Sequence, residues 1–323
     1  MMATIIAELC QNHNGDKKLL SEMISAAAEA GADYVKVQSM LASEITYRER
    51  FEEGVVDIDG VKQSILRPYQ AEVDRLAPMD LSDDDFKWFI DECRNFGVEP
   101  MTTIFTRQRI PFLSSLGMKA VKVASYDCSA HQMVQDLRDN FDHLVVSTGA
   151  SYNHEIEKTV ELLKGTSYDL LHCVTIYPTP MNELHLNRMN YLRQFTPTVG
   201  FSDHSLVERD GIDASILALG QGADVIERHF TIQDAKSSRD GPVSINSEEL
   251  KRLVEFGKRS PEEIMDYVHK NIPNWEVGLG QEQRAMSPEE LLNRDYYRGR
   301  FASMVNGEPV YNWETNWKLE ELV

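Results

Sequence analysis

Apolar and polar positions along this chain repeat on two periods. Short runs of Val, Ile, Leu and Ala recur with little polar interruption, and most are followed by a stretch whose apolar residues fall three and four apart. The first run, TIIAELC at 4–10, precedes an amphipathic stretch at 17–30, and GADYVKVQS supplies the next buried run at 32–39. After a gap, the segment 82–96 opens on SDDDF, which places acids on the positive end of a helix, and leaves at Gly97. From there the rhythm is regular. Strand-like segments at 99–105, 120–125, 143–148, 169–175, 198–202 and 225–230 interleave with helix-like segments at 107–116, 130–137, 152–163, 186–195, 210–219 and 247–258. Strands buried on both faces and each followed by a helix predict an α/β fold, a (β/α)8 TIM barrel with a short C-terminal tail. An open doubly wound sheet is the alternative, but residues 7–15, AELCQNHNG, lack the Gly-rich phosphate turn that would follow its first strand.

Two segments break the rhythm. Residues 40–80 form a charged excursion after the second strand, far longer than a βα loop needs, and are expected to act as a lid or binding loop. The barrel domain is expected to span 1–260 and a helical or irregular tail 261–323, packed outside the barrel or on a partner subunit.

Composition narrows the function. Thirty-three Lys and Arg against 52 Asp and Glu give a net charge of −19, which argues against nucleic acid and anionic membrane as partners. No run approaches the ~18 apolar residues of a membrane span, and no leader-like segment opens the chain. The four cysteines, Cys10, Cys93, Cys128 and Cys173, form no CxxC pair; they are expected to be small core fillers in a reducing cytoplasm.

The carboxyl ends of barrel strands converge on one face, so polar residues there are the candidate chemistry. Lys36 and Lys122, each inside an apolar strand, would be costly without an anion and together imply a doubly charged ligand. With Thr103, Ser125, Ser147 and Ser202 they make a phosphate or carboxylate cradle. His204 and His229 end neighbouring strands and suit a divalent metal; two protein ligands with an otherwise open sphere point to Mn or Mg. Glu8 either contacts substrate or water or pairs with a basic neighbour, Asp240 is the second candidate acid, and His13 shapes the NHNG turn.

In order along the chain, IIAELCQNHNGD, GADYVKVQ, VKVASYD, STGA, LLHCVTIYPTP, VGFSDHS, VIERHFT and Asp240 before GPVSI resemble the motifs of the sialic acid synthases, a family that includes legionaminate and pseudaminate synthases. The resemblance runs over about residues 5–258. It implies a metal-dependent condensation of phosphoenolpyruvate with the open-chain aldehyde of an N-acylated hexosamine, giving a nine-carbon 2-keto sugar acid and phosphate. Carried over by position, His204 and His229 would hold Mn or Mg. Lys36, Thr103, Lys122, Ser125, Ser147 and Ser202 would bind phosphoenolpyruvate. Glu8 and Asp240 would contact the sugar, Glu8 managing the proton or water, with Gln38, Thr175 and Tyr177 lining the pocket and His204 also counted as catalytic. Thr175 stands where some members have Asn, and Ser237, Ser238 and Arg239 replace a PGP run, adding a cation near the sugar. Another phosphate-handling aldolase or isomerase barrel, or a non-catalytic binding homologue, is the alternative. Residues 296–310, YYRGRFASMVNGEPV, resemble the linker and first turn of the antifreeze-like domain with which members cap a partner's barrel. A homodimer is therefore expected, and the tail is read as a shortened remnant of that linker.

Overall fold

The computed structural model describes residues 2–322. Eight parallel strands close a barrel: β1 (Thr4–Cys10), β2 (Tyr34–Ser39), β3 (Glu99–Ile104), β4 (Val121–Val123), β5 (His143–Ser147), β6 (Ser167–Cys173), β7 (Val199–Asp203) and β8 (Val225–His229). Each strand pairs with its neighbours in sequence, and β8 closes on β1. The eight sequence-predicted strands are these, within two residues at every end.

Helices cover the outside. Lys17–Ala30 starts where the Asp16 carboxylate accepts the Lys18 and Leu19 amides, and stops at Gly31, whose φ of 91° suits glycine. Asp83–Phe96 begins with a Ser82–Asp85 capping box. Three expected helices are shorter or broken. Pro111 follows a 3-10 turn and confines the helix to Ile110–Ser114; only Arg188–Leu192 forms in the 186–195 segment; Gly211 divides Val207–Asp210 from Asp213–Gly220. Asp213–Gly220 is buried all round because Pro261–Asn271 covers its outer side.

Inside the barrel, Ile6, Met101, Ala120, Val145, Leu171 and Val225 form an apolar plug. Strand side chains alternate with period two, so the next inward position on each of these strands lies one layer nearer the carboxyl ends. Those positions are Glu8, Thr103, Lys122, Ser147, Cys173 and Glu227. A dry floor thus carries a polar layer.

The excursion at 40–80 is organised by short 3-10 turns, a hairpin pairing Val55–Val56 with Lys62–Ser64, and the helix Tyr69–Leu76. The tail splits its packing. Pro261–Asn271 lies outside the barrel, whereas Pro288–Tyr297 and the hairpin Ser303–Val305/Glu308–Val310 return across the strand ends of the same chain. There Asn293 donates to the Thr175 carbonyl at 2.7 Å, Asn312 to the Phe105 carbonyl at 2.9 Å, and the Ala302 amide to Glu44 at 2.9 Å. The polar composition of the tail has this use: its amides and guanidiniums satisfy carbonyls that the strand-end loops leave open. Fully buried Arg107 does the same from the barrel side, pairing with Asp136 and donating to the Glu314 and Trp317 carbonyls at 3.1 and 2.9 Å. No described helix is long and apolar enough to cross a membrane.

Candidate active site

Backbone register assembles the polar layer. Glu8 lies opposite Lys36 on one side and His229 on the other, Thr103 opposite Lys122, and Ser202 opposite Glu227. They open into a cavity of about 440 Å³, a size suited to a small polar metabolite. Glu8, Lys36, Gln38, Thr103, Lys122, Ser125, Ser147, Tyr177, Ser202, His204, His229 and Asp240 all line it. Thr175 does not: β6 ends at Cys173, which takes the wall position, and beyond it the strand alternation no longer sets the direction of a side chain. Asp203, polar at the end of β7, also faces away; it is fully buried against Arg228 at 2.6 Å and Ser215 at 2.5 Å and so anchors the turn that carries His204.

Four charged groups occupy the barrel centre. Lys36 Nζ is ion-paired with Glu8, donates to Thr103 Oγ1 at 2.8 Å, and stands 3.6 Å from Glu227 Oε2. Glu8 thus pairs with a basic neighbour at the cavity wall. Its other oxygen accepts the Cys10 amide at 2.6 Å. Ser202 donates to Glu227 Oε1 at 2.8 Å. Lys122 differs. Its ammonium donates to Ser147 Oγ at 2.6 Å and the Val123 carbonyl at 2.9 Å, both neutral, and it makes no ion pair among the described residues.

Electrostatics follow from burial and these neighbours. Burial, reinforced by Lys122, lowers Lys36 to about 8 despite the opposing pull of Glu227. Burial would raise Glu227, but Lys122, Lys36 and the Ser202 hydroxyl outweigh it and hold the carboxyl near 2. Burial and the facing His229 push His204 well below the ordinary imidazole range, and burial lowers His229 as well. Both shifts favour the neutral ring, the form that ligates metals.

The two rings lie 5.2 Å apart, centroid to centroid. His204 Nε2 shares a 2.8 Å hydrogen bond with the Tyr177 hydroxyl, while His229 Nδ1 is buried without a partner. The donors that converge with His229 are Cys10 and Asp240, ligand atoms of all three lying within 4.8 Å of one another. An imidazole nitrogen beside a carboxylate and a thiol fits a divalent cation. His204, expected as the second ligand, stands outside this set with its ring nitrogen taken by Tyr177.

Several lining residues escaped sequence reasoning. Cys10, expected as a core filler, lines the cavity just past Glu8. Asp127, raised to about 7 by burial despite the Asn312 amide that donates to it at 2.8 Å, follows the expected VKVAS strand. Arg67, Arg75 and Arg300 belong to the excursion and the tail. Tyr126 stacks on Tyr297 at 4.8 Å, a contact between positions far apart in sequence.

A closed parallel barrel with an ion-paired centre on an apolar floor belongs to the (β/α)8 class, in which functional sites lie at the carboxyl ends of the strands. Within that class, the sequence model of the NeuB family matches residues 23–269, and the chain belongs to this family, that of the sialic acid synthases. It is 34% identical over 308 residues to the N,N'-diacetyllegionaminic acid synthase of Legionella pneumophila, covering 93% of this chain and 82% of that one. The N,N'-diacetyllegionaminic acid synthase of Campylobacter jejuni is 33% identical over 77% of this chain and 73% of its own. Among solved structures, the sialic acid synthetase of Leptospira borgpetersenii, crystallised with citrate, superposes with a TM-score of 0.69 at 26% identity, covering 91% of this chain and 92% of that one. These relatives are synthases of nonulosonic acids.

Proposed function

We propose that this protein condenses phosphoenolpyruvate with the open-chain aldehyde of an N-acylated hexosamine-type sugar, releasing phosphate and a nine-carbon 2-keto-3-deoxy sugar acid. The observation that carries this reading is Lys122: a buried ammonium at a cavity wall whose hydrogen-bond partners are both neutral and which shares the charge of Glu227 with Lys36, so that an anionic ligand would be stabilised there. The relatives' names supply the product class.

Phosphoenolpyruvate binds with its phosphate and carboxylate against Lys122, Lys36 and the hydroxyls of Ser125, Ser147, Thr103 and Ser202. Its methylene carbon then faces the aldehyde, whose sugar hydroxyls are held by Asp240, Gln38 and Tyr177. His229 and Asp240, beside Cys10 and His204, would hold a divalent cation, which would supply Lewis-acid chemistry; the resemblance gives Mn or Mg. The carbon–carbon bond forms from the enol to the aldehyde carbon, and the alkoxide takes a proton. Water adds to the former enol carbon, and phosphate leaves with its bridging oxygen. Glu8, ion-paired with Lys36, accepts the proton released by that water. Tyr297, Arg300 and Asn312 help exclude bulk solvent. Free buried thiols accord with a cytoplasmic setting for the same reaction, and the barrel of 1–260 carries the chemistry in this proposal.

Incubation with phosphoenolpyruvate, Mn2+ and a panel of N-acylhexosamines, followed by mass spectrometry, is expected to give phosphate and a keto acid only when all three are present. Lys122→Ala should lower kcat/KM by on the order of 100-fold or more. Sugar isomerisation without phosphate release would overturn the proposal.

A further inference from the structure

Of the cavity-lining thiols among the described residues, Cys10 and Cys173, Cys10 is the one grouped with His229. It ends β1, where the pairing with β2 slips by one residue between Glu8 and Cys10, and its backbone adopts φ 47°, a left-handed conformation that a side-chain-bearing residue holds only at a cost. The bend leaves its thiol on the cavity side, donating to Asp240 Oδ2 at 3.0 Å. Across the same gap His229, 6% exposed, brings one ring nitrogen to the cluster, and its Nδ1 has no hydrogen-bond partner among the described residues. Sulfur, nitrogen and oxygen atoms from β1, β8 and the loop after β8 thus face a common point, all within 4.8 Å of one another. Around a tetrahedral zinc ion, sulfur and nitrogen ligands sit about 3.5 Å apart, so small inward movements close this triangle on a cation.

Resting on the metal-dependent reading above for the place of the cation, we propose that Cys10, His229 and Asp240 bind a borderline-soft divalent ion of the zinc, cobalt or ferrous class, with a further coordination position open to the cavity. On binding, the Cys10 S–H bond is replaced by a sulfur–metal bond and its proton leaves to solvent; no electrons are transferred. Mn and Mg favour oxygen donors, whereas a thiolate beside an imidazole selects softer ions. Three protein ligands and one open position are the arrangement of a catalytic rather than a closed structural site. Cys10 thereby changes the ion that the two-histidine pattern alone would favour.

The full chain, stripped of metal by a chelator and titrated with Co2+, tests this without reference to turnover. The expected spectrum has the visible bands of low-coordinate cobalt together with a near-ultraviolet sulfur-to-cobalt charge-transfer band. Cys10→Ser should abolish the charge-transfer band and weaken Zn2+ binding, measured by competition with Co2+, by on the order of 100-fold, while Mn2+ affinity changes little. Circular dichroism checks that the variant remains folded. The unaltered protein is itself decisive: cobalt bound without a charge-transfer band overturns sulfur ligation, as does a Cys10→Ser spectrum identical to the wild type. Failure to bind Co2+ or Zn2+ at all overturns it as well. Phosphate release with Mn2+ in the absence of that band would leave the condensation standing without the sulfur ligand, so the two proposals fail separately.

Discussion

Lys36 is the residue whose charge is most finely poised. Its amine is held at about 8 from an ordinary value of 10.5, so the folded chain binds fewer protons than the unfolded chain between those values. Stability therefore rises with pH across that window, and the cost of burying the charged amine is fully present below about 8. For ligand binding the sign is opposite: the ammonium that would meet phosphoenolpyruvate is lost above about 8. The KM for phosphoenolpyruvate is expected to climb as pH rises through that value, and Lys36→Arg, which keeps its charge, should flatten the rise even if it lowers kcat. A pH-independent KM in the unaltered protein would refute this. Single residues of this kind were legible in the sequence because each polar position lies two after an apolar one on the same strand: Ile6 then Glu8, Ala120 then Lys122, Val145 then Ser147. At Cys10 the register slips and the backbone turns left-handed, so no alternation announces it, and a lone cysteine after Leu9 is indistinguishable from a core filler until Asp240 and His229 are brought beside it. Thr175 failed for the converse reason, since β6 stops before reaching it.

Turns between elements decide how firmly this layer is held. Asn12, just after β1, donates to the Phe230 carbonyl and to Ser244 Oγ, both at 2.9 Å, and accepts from Ser238 at 2.5 Å, tying the first loop to the one that carries Asp240. His13 shapes the turn, its Nδ1 accepting the Gly15 amide at 3.1 Å. Gly15 itself has φ 79°, and a Cβ there would stand 2.0 Å from the Pro78 carbonyl oxygen. Gly15→Ala must therefore displace the Ala77–Met79 turn or distort its own backbone, and it is expected to cost about 2–3 kcal/mol by urea denaturation. A loss below about 0.5 kcal/mol would mean that this contact yields freely. Helix starts were readable where capping groups stand in the sequence, as at Ser82 and Asp16. The break at Gly211 and the shortening around Pro111 were not read from the repeating apolar pattern, which continues through both.

At the scale of the molecule, the barrel was legible from eight recurrences of one motif, whereas the closure of its mouth was not. That closure joins the excursion, the loop after β8 and the tail through one carboxylate. Glu72 meets Arg75 at 3.0 Å, Arg300 at 2.6 Å and Arg239 at 3.1 Å. Its nearest guanidinium in sequence is three residues away; the other two come from remote segments, and no local pattern announces them. Burial would raise this acid, but the three guanidiniums hold it near 2 against an ordinary 4.5. A depressed acid stabilises the fold above its unfolded value, and the stabilisation disappears as pH falls from 4.5 to about 2. Glu72→Gln is expected to lower stability at pH 7 by about 2 kcal/mol, allowing for solvent screening, and to flatten the loss of stability in that acid window. Unchanged acid unfolding would show that the arginines do not rely on it.

The return of residues 288–312 across the strand ends has one more consequence. Because Arg300, Tyr297 and Asn312 are tethered to the barrel they cover, their local concentration at its mouth is fixed by the connecting chain and not by how much protein is dissolved. Dilution cannot strip these groups away, so what this chain contributes to its own cavity is retained by a single molecule in isolation.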